Sequence, residues 1–231
     1  MIFLPGTNEQ IKILFDVLTL NFSSILIIGS GCEEISKMLA DKYSSPVTII
    51  VDNHDSLLNT RLLLTGQNDV TVKMMDFSNT DFPDSAFDLI YAQASISNNN
   101  RNKTVKEIKR ILKPGGYFCA GENISLVQSP PTFVKDIWNS SNITPLYPVE
   151  LKKFYEDRNF EVIHEQDLSH TLKDFYSMSR ALLKEKVNDL TDQEKNYHKK
   201  FLKKLSHESN AYLKLGGDVY MGFRMLILRK A

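Results

Sequence analysis

Cysteine is scarce in this chain of 231 residues: Cys32 and Cys119 are the only two. That argues against a disulfide-held secreted scaffold and suits buried, reduced thiols in a cytoplasmic protein. An excess of one charge is also missing. Twenty-eight basic residues balance 28 acidic ones, so no electrostatic pull toward nucleic acid is expected. No apolar run approaches the ~18 residues of a membrane-spanning helix. The opening Met1-Ile2-Phe3-Leu4-Pro5 has neither the basic region nor the apolar length of a signal peptide. The five histidines show no metal-ligand spacing, so no metal site is expected. His198 sits among Lys195, Lys199 and Lys200, which reads as a solvated helix face. There are no repeats and no low-complexity tracts. What remains, 42% hydrophobic and 24% charged, is the composition of one ordinary globular domain over residues 1–231.

The most informative stretch is Ile25-Leu26-Ile27-Ile28-Gly29-Ser30-Gly31. Four apolar residues read as a buried strand, and Gly-x-Gly reads as a tight turn where backbone must approach something closely. A helix from Glu33 to Tyr43 follows, then a second apolar run, Val47 to Val51, ending at Asp52. This is a βαβ unit with an acid about 20 residues past the glycines, the layout that sets a carboxylate on ribose hydroxyls. The third glycine of the dinucleotide fingerprint is absent. Glu33 and Glu34 open the helix instead, which suits the macrodipole but would repel a pyrophosphate. A ribose-bearing cofactor without phosphate fits better, and S-adenosylmethionine, with its cationic sulfonium, is one.

Further along, Val70 to Met74 reads as a third strand before Met75-Asp76-Phe77. A turn at Asp84-Ser85 feeds a fourth strand ending near Gln93, and Leu112-Lys113-Pro114-Gly115-Gly116 precedes a fifth, Tyr117 to Gly121. These blocks, in this order over about residues 20 to 125, resemble a class I S-adenosylmethionine-dependent methyltransferase of the small-molecule, methyltransferase-11-like type. The resemblance implies an α/β, Rossmann-like, seven-stranded mixed sheet of order 3-2-1-4-5-7-6. Its last strand would be antiparallel and helices would cover both faces. Pro5-Gly6-Thr7, Pro130-Pro131 with Trp138, and a helical insertion before the last strand extend the likeness more loosely. The insertion, residues 170–217, reads as two helices, the second opened by a Thr191-x-x-Glu194 capping box. It is expected to cap the acceptor pocket as a mobile element outside the central core. A first helix is expected over residues 7–20, with Thr7-x-x-Gln10 as its capping box.

In an open α/β sheet, ligands sit at the carboxyl ends of the strands. Gly29, Ser30, Gly31, Asp52, Asn53, Asp76, Phe77 and Gln93 all follow or end strands there and form the expected cofactor site. The resemblance gives Asp52 the ribose hydroxyls, Asp76 the adenine amino group and the Phe77 backbone N–H a ring nitrogen. Tyr91, Trp138, Tyr176 and Tyr212 are candidates for lining the site of a small-molecule methyl acceptor. The family places an acid two residues before Gly29, where this chain has Ile27, and a third glycine where it has Glu33. Three readings follow: a small-molecule methyltransferase; a methyltransferase-like binding or scaffold protein without activity, motivated by Ile27; and a nicotinamide dehydrogenase, disfavoured by Glu33 and the Leu-Lys-Pro-Gly-Gly block.

Overall fold

A computed structural model describes residues 2–189 and 206–231. In chain order the elements are α1 (Glu9–Val17), β1 (Ile25–Ile28), α2 (Glu33–Tyr43), β2 (Val47–Val51), α3 (His54–Leu63), β3 (Val70–Met74), β4 (Phe87–Gln93) and α4 (Arg101–Ile111). They continue with β5 (Leu112–Ser125), α5 (Thr132–Ser140), α6 (Pro148–Glu156), β6 (Phe160–Asp167) and α7 (Thr171–Asp189). A helix over 206–214, α8, a single 3-10 turn at Gly217–Val219 and β7 (Met221–Lys230) complete it.

The seven strands lie in the order β3-β2-β1-β4-β5-β7-β6. β1 to β5 run parallel, and β7 is antiparallel to both β5 and β6. The family order and its reversed last strand are therefore present. Parallel strands buried on both faces read as continuous apolar runs, and Ile25–Ile28 is buried throughout. Successive side chains feed opposite layers. Ile27, Tyr91 and Cys119 pack with Ile11, Leu14, Ile35 and Leu39 on one face. Leu26, Ile28, Ile90 and Phe118 pack with Val105, Ile108 and Tyr155 on the other. Each such aliphatic side chain contributes about 1.5–3 kcal/mol on leaving water, so the sheet's apolar layers fix the position of every strand end.

Three local expectations are corrected. The Thr7-x-x-Gln10 box does not form. Asn8 is the N-cap, with no side-chain cap bond, and Gln10 is fully buried, donating from Nε2 to the Ala92 carbonyl at 3.1 Å. Buried beneath the sheet, the Gln10 amide needs an internal acceptor, whereas the helix terminus can be served by water. Secondly, the Leu112–Gly116 block belongs to β5 rather than to a break before it. It bulges, with the register slipping between Phe87 and Leu89. Gly116 lies so close to backbone that a Cβ would meet the Lys113 carbonyl oxygen at 2.9 Å and that of Asp88 at 3.1 Å, which is why a glycine is needed there.

Thirdly, the insertion does not stand clear of the core. Leu172 and Tyr176 on α7 and Ala211 and Tyr212 on α8 lie in the main apolar layer. Their side chains face the sheet at helical spacing, which recruits these turns into the core. Thr191, Glu194 and the lysine run around His198 lie outside the described residues.

Candidate functional site

The strand ends converge. Gly29 follows β1, Asp52 follows β2, Asp76 follows β3 and Gln93 closes β4, all at the carboxyl edge of the sheet. Gly29 has φ +120°, and a Cβ on it would lie 2.6 Å from the Ser95 Cβ. Only glycine serves there, because the loop after β4 packs directly on the turn. Ser95 locks that contact by donating from Oγ to the Ile28 carbonyl at 2.6 Å. Gly31, φ +77°, lies under Leu4, whose Cδ2 would be 3.5 Å from an added Cβ. Ser30 is exposed between them.

Asp52 and Asp76 line one cleft of about 470 Å³. Met74, Met75 and Phe77 form its apolar side, and Asn98, Asn100, Thr104 and Asn142 its polar side. The lining holds two carboxylates and no cation, so it attracts positive charge and repels phosphate. Asp52 is exposed. One oxygen accepts from the Asn53 amide at 2.8 Å, and the other has no hydrogen-bond partner among the described residues. Asp76 accepts from the Ser78 N–H and hydroxyl, both at 2.8 Å. These bonds hold its carboxyl below the usual carboxylate range.

Several expected site residues are placed elsewhere. Asn53 caps α3: its Oδ1 accepts from Ser56 N at 2.9 Å, so its side chain serves the helix and Asp52. Gln93 is 1% exposed. Its Nε2 donates to the Pro5 and Thr7 carbonyls at 2.7 and 3.0 Å, while Oε1 accepts from the Tyr91 hydroxyl at 2.6 Å. It therefore ties the N-terminal segment to the sheet rather than facing the cleft. Tyr91 is buried in the core beneath it, and Tyr176 is stacked on Tyr212 with ring centroids 4.7 Å apart. An inward-facing strand position and a helix face turned to the sheet explain these two placements. Trp138 lines a separate cavity of about 290 Å³ with Asn99, Lys135, Asn139, Asn142 and Thr144. Asn142 is common to that cavity and the cleft.

Glu33 does not point at the turn's ligand side. Its Oε1 accepts from Thr60 Oγ1 at 2.9 Å, joining α2 to α3. Ile27 is fully buried between Ile49 and Tyr91, so the methionine end of the expected cofactor site has an apolar floor. The adenosine end fits: an open carboxylate follows β2, and an apolar flank and amide side chains lie beside it. Sequence reading missed Asn98, Asn100, Thr104 and Asn142, and also Leu4, which lies against the glycine turn. The polar run Ser95-Ile96-Ser97-Asn98-Asn99-Asn100 directly after a strand end was the one available signal.

Residues 26–120, from β1 into β5, fit the family model described as a methyltransferase domain. Over that stretch the chain is similar to a methyltransferase domain. A phosphoethanolamine N-methyltransferase from Plasmodium falciparum (isolate 3D7) is 26% identical over 204 residues, covering 83% of this chain and 68% of the relative. Among solved structures, a Haemonchus contortus phosphoethanolamine N-methyltransferase 2 holds phosphomonomethylethanolamine and S-adenosylhomocysteine. It superposes with a TM-score of 0.78 at 15% identity, over 98% of this chain and 54% of that one. The cyclase SpnF superposes at 0.77 with 18% identity, over 96% and 80%. These superpositions establish that the methyltransferase fold extends over almost the whole chain. Because a cyclase shares it, the chemistry has to be read from the site.

Proposed function

We propose that the protein transfers a methyl group from S-adenosylmethionine to a small-molecule acceptor. The observation that carries this is the cleft at the sheet's carboxyl edge, where Asp52 and Asp76 face one space together with an apolar flank and no cation. Asp52 would accept from the ribose hydroxyls, Asp76 from the adenine amino group, and the Phe77 backbone N–H would serve a ring nitrogen. Gly29 and Gly31 let the β1 turn come close to the rest of the molecule. The two carboxylates suit a cation and oppose a pyrophosphate, which sets the nicotinamide reading aside.

S-adenosylmethionine, when bound, supplies an electrophilic methyl on a leaving group that needs no further activation. The protein's work is alignment and exclusion of water. Leu4 beside Gly31 and Ser95 against Gly29 fix the shape of the turn, while Ser30 and Gly31 stay open to a ligand. The cavity beside Trp138, joined to the cleft at Asn142 and carrying the exposed Lys135, suits a small acceptor with a negative or hydrogen-bonding group. The relative's substrate, phosphoethanolamine, is of that size and charge. Among the described residues no helix is long and apolar enough to cross a membrane, and a cytoplasmic location is part of this proposal.

Calorimetric titration tests the reading. S-adenosylmethionine and S-adenosylhomocysteine should bind and NAD should not. With labelled methyl donor, label should pass to a small-molecule fraction of a cell extract rather than to protein or nucleic acid. Binding without transfer would favour the scaffold alternative that Ile27 raises, and binding of NAD alone would overturn the assignment.

A further inference from the structure

Behind the cleft lies a charged network that the cofactor contacts do not use. Glu122 on β5 is fully buried. One carboxylate oxygen accepts from Arg101 Nε at 2.8 Å and from Ser97 Oγ at 3.0 Å, and the other accepts from the Tyr155 hydroxyl. Arg101 is itself 5% exposed, and its Nη2 donates to the Thr144 carbonyl at 2.7 Å. Such a pair is a poor way to gain stability, because apolar residues of similar shape commonly do as well or better. What distinguishes it is where its bonds end.

Ser97 is in the loop that follows β4. Its hydroxyl also accepts from Asn123 N at 2.9 Å, and its carbonyl accepts from Thr144 N at 2.8 Å. Thr144 donates from Oγ1 to Asn99 at 2.7 Å. Asn98 accepts from Asn100 N at 2.8 Å and, through its carbonyl, from Arg101 N at 3.0 Å. Two loops, 94–100 and 141–147, are thus stitched to each other and to one buried carboxylate. Asn98 and Asn100 from the first and Asn142 from the second form the polar wall of the cleft.

We propose that Glu122 is a positioning residue for the cofactor cleft, acting through Ser97 and Arg101 to set the wall made by Asn98, Asn100 and Asn142. This rests on the reading of the cleft as the S-adenosylmethionine site. Glu122→Gln keeps the shape but weakens the hold on Arg101. Ser97→Ala leaves the Glu122–Arg101 pair whole and removes the hydroxyl that joins the loop to Glu122 and to Asn123 N, so it keeps the test open where Glu122→Gln fails to fold.

The experiment is titration of wild type and both variants with S-adenosylhomocysteine, with hydrogen exchange over residues 94–100 and thermal melting alongside. Expected is affinity about tenfold weaker in Glu122→Gln and several-fold weaker in Ser97→Ala, the range a charged and a neutral hydrogen bond span. Loop amides should exchange faster in the variants and recover when ligand saturates them. Variants that melt earlier yet bind as tightly as wild type overturn the proposal and leave the cofactor site standing. Absence of binding in wild type overturns both.

Discussion

At the scale of single residues, Asp52 carries one lesson and the pair Tyr91 and Gln93 the opposite one. The place of Asp52 in the cleft was legible from spacing alone, because an acid that follows the second strand falls at the carboxyl edge of the sheet. Being exposed, Asp52 can be removed without harm to the core. Asp52→Ala should weaken S-adenosylhomocysteine binding by about tenfold or more, the cost of leaving hydroxyl donors unpaired in a closed site. Calorimetry reads this, with an unchanged far-ultraviolet circular dichroism spectrum as the control. Tyr91 and Gln93 were misread for a physical reason. Alternation along β4 turns both to the face that α1 covers, so they join the core and the N-terminal segment.

Ile27 lies on that same face. Ile27→Asp buries a carboxylate with no partner and should cost about 3 kcal/mol or more in urea-melt stability. Where the ammonium of a bound S-adenosylhomocysteine reaches it, saturating ligand should narrow that gap. A gap of the same size with and without ligand would show that the position does not face the cofactor's amino group.

At the scale of elements, the segment between β3 and β4 is held by two side chains of α4, Glu107 and Arg110, the latter donating to the Phe82 carbonyl and to Asp84. Glu107 on α4 is buried and accepts from the Thr80 N–H and hydroxyl at 2.8 and 2.6 Å and from Arg110 at 2.7 and 2.9 Å. Burial alone would raise its pKa, but the bonds from Arg110 and Thr80 outweigh it and bring the carboxyl from 4.5 down to about 2. A carboxyl depressed in the folded state stabilises it above the unfolded value and loses that contribution as pH falls toward the folded value. Stability should therefore drop between about pH 4.5 and pH 2, and Glu107→Gln should be less stable at neutral pH but show a shallower acid decline. Urea melts across that window decide it.

The insertion gives a second test at this scale. Since Leu172, Tyr176, Ala211 and Tyr212 are core residues, amides over 171–179 and 209–212 should exchange about as slowly as those of β1 and β4, with or without ligand. Rapid exchange there would restore the picture of a detached cap. Strand and helix identities were legible because their periods are long and their apolar runs strong. The insertion's packing was not, since a stripe on a helix does not say which surface it will meet. The Leu112–Gly116 bulge was equally hidden: a Pro-Gly-Gly run signals a break and does not reveal that pairing resumes on both sides of it.

At the scale of the whole molecule, the sheet order places β7 between β5 and β6, antiparallel to both over long registers. β6 meets no other strand of the sheet. A ribosome making this chain releases β1 to β5 in an order that lets a parallel sheet begin to assemble. It then releases β6 with nothing to pair against until Met221–Lys230 has left the exit tunnel. For that interval the nascent chain adds two open edges, those of β5 and β6, to that of β3. The charged and polar side chains spaced along Phe160–Asp167, Glu161, His164, Glu165 and Asp167 among them, are what protects one of those edges from pairing with a neighbouring polypeptide. Insertion of β7 is therefore the last pairing of the sheet, and stalling after β6 but before β7 should expose an aggregation-prone sheet that stalling before β6 does not.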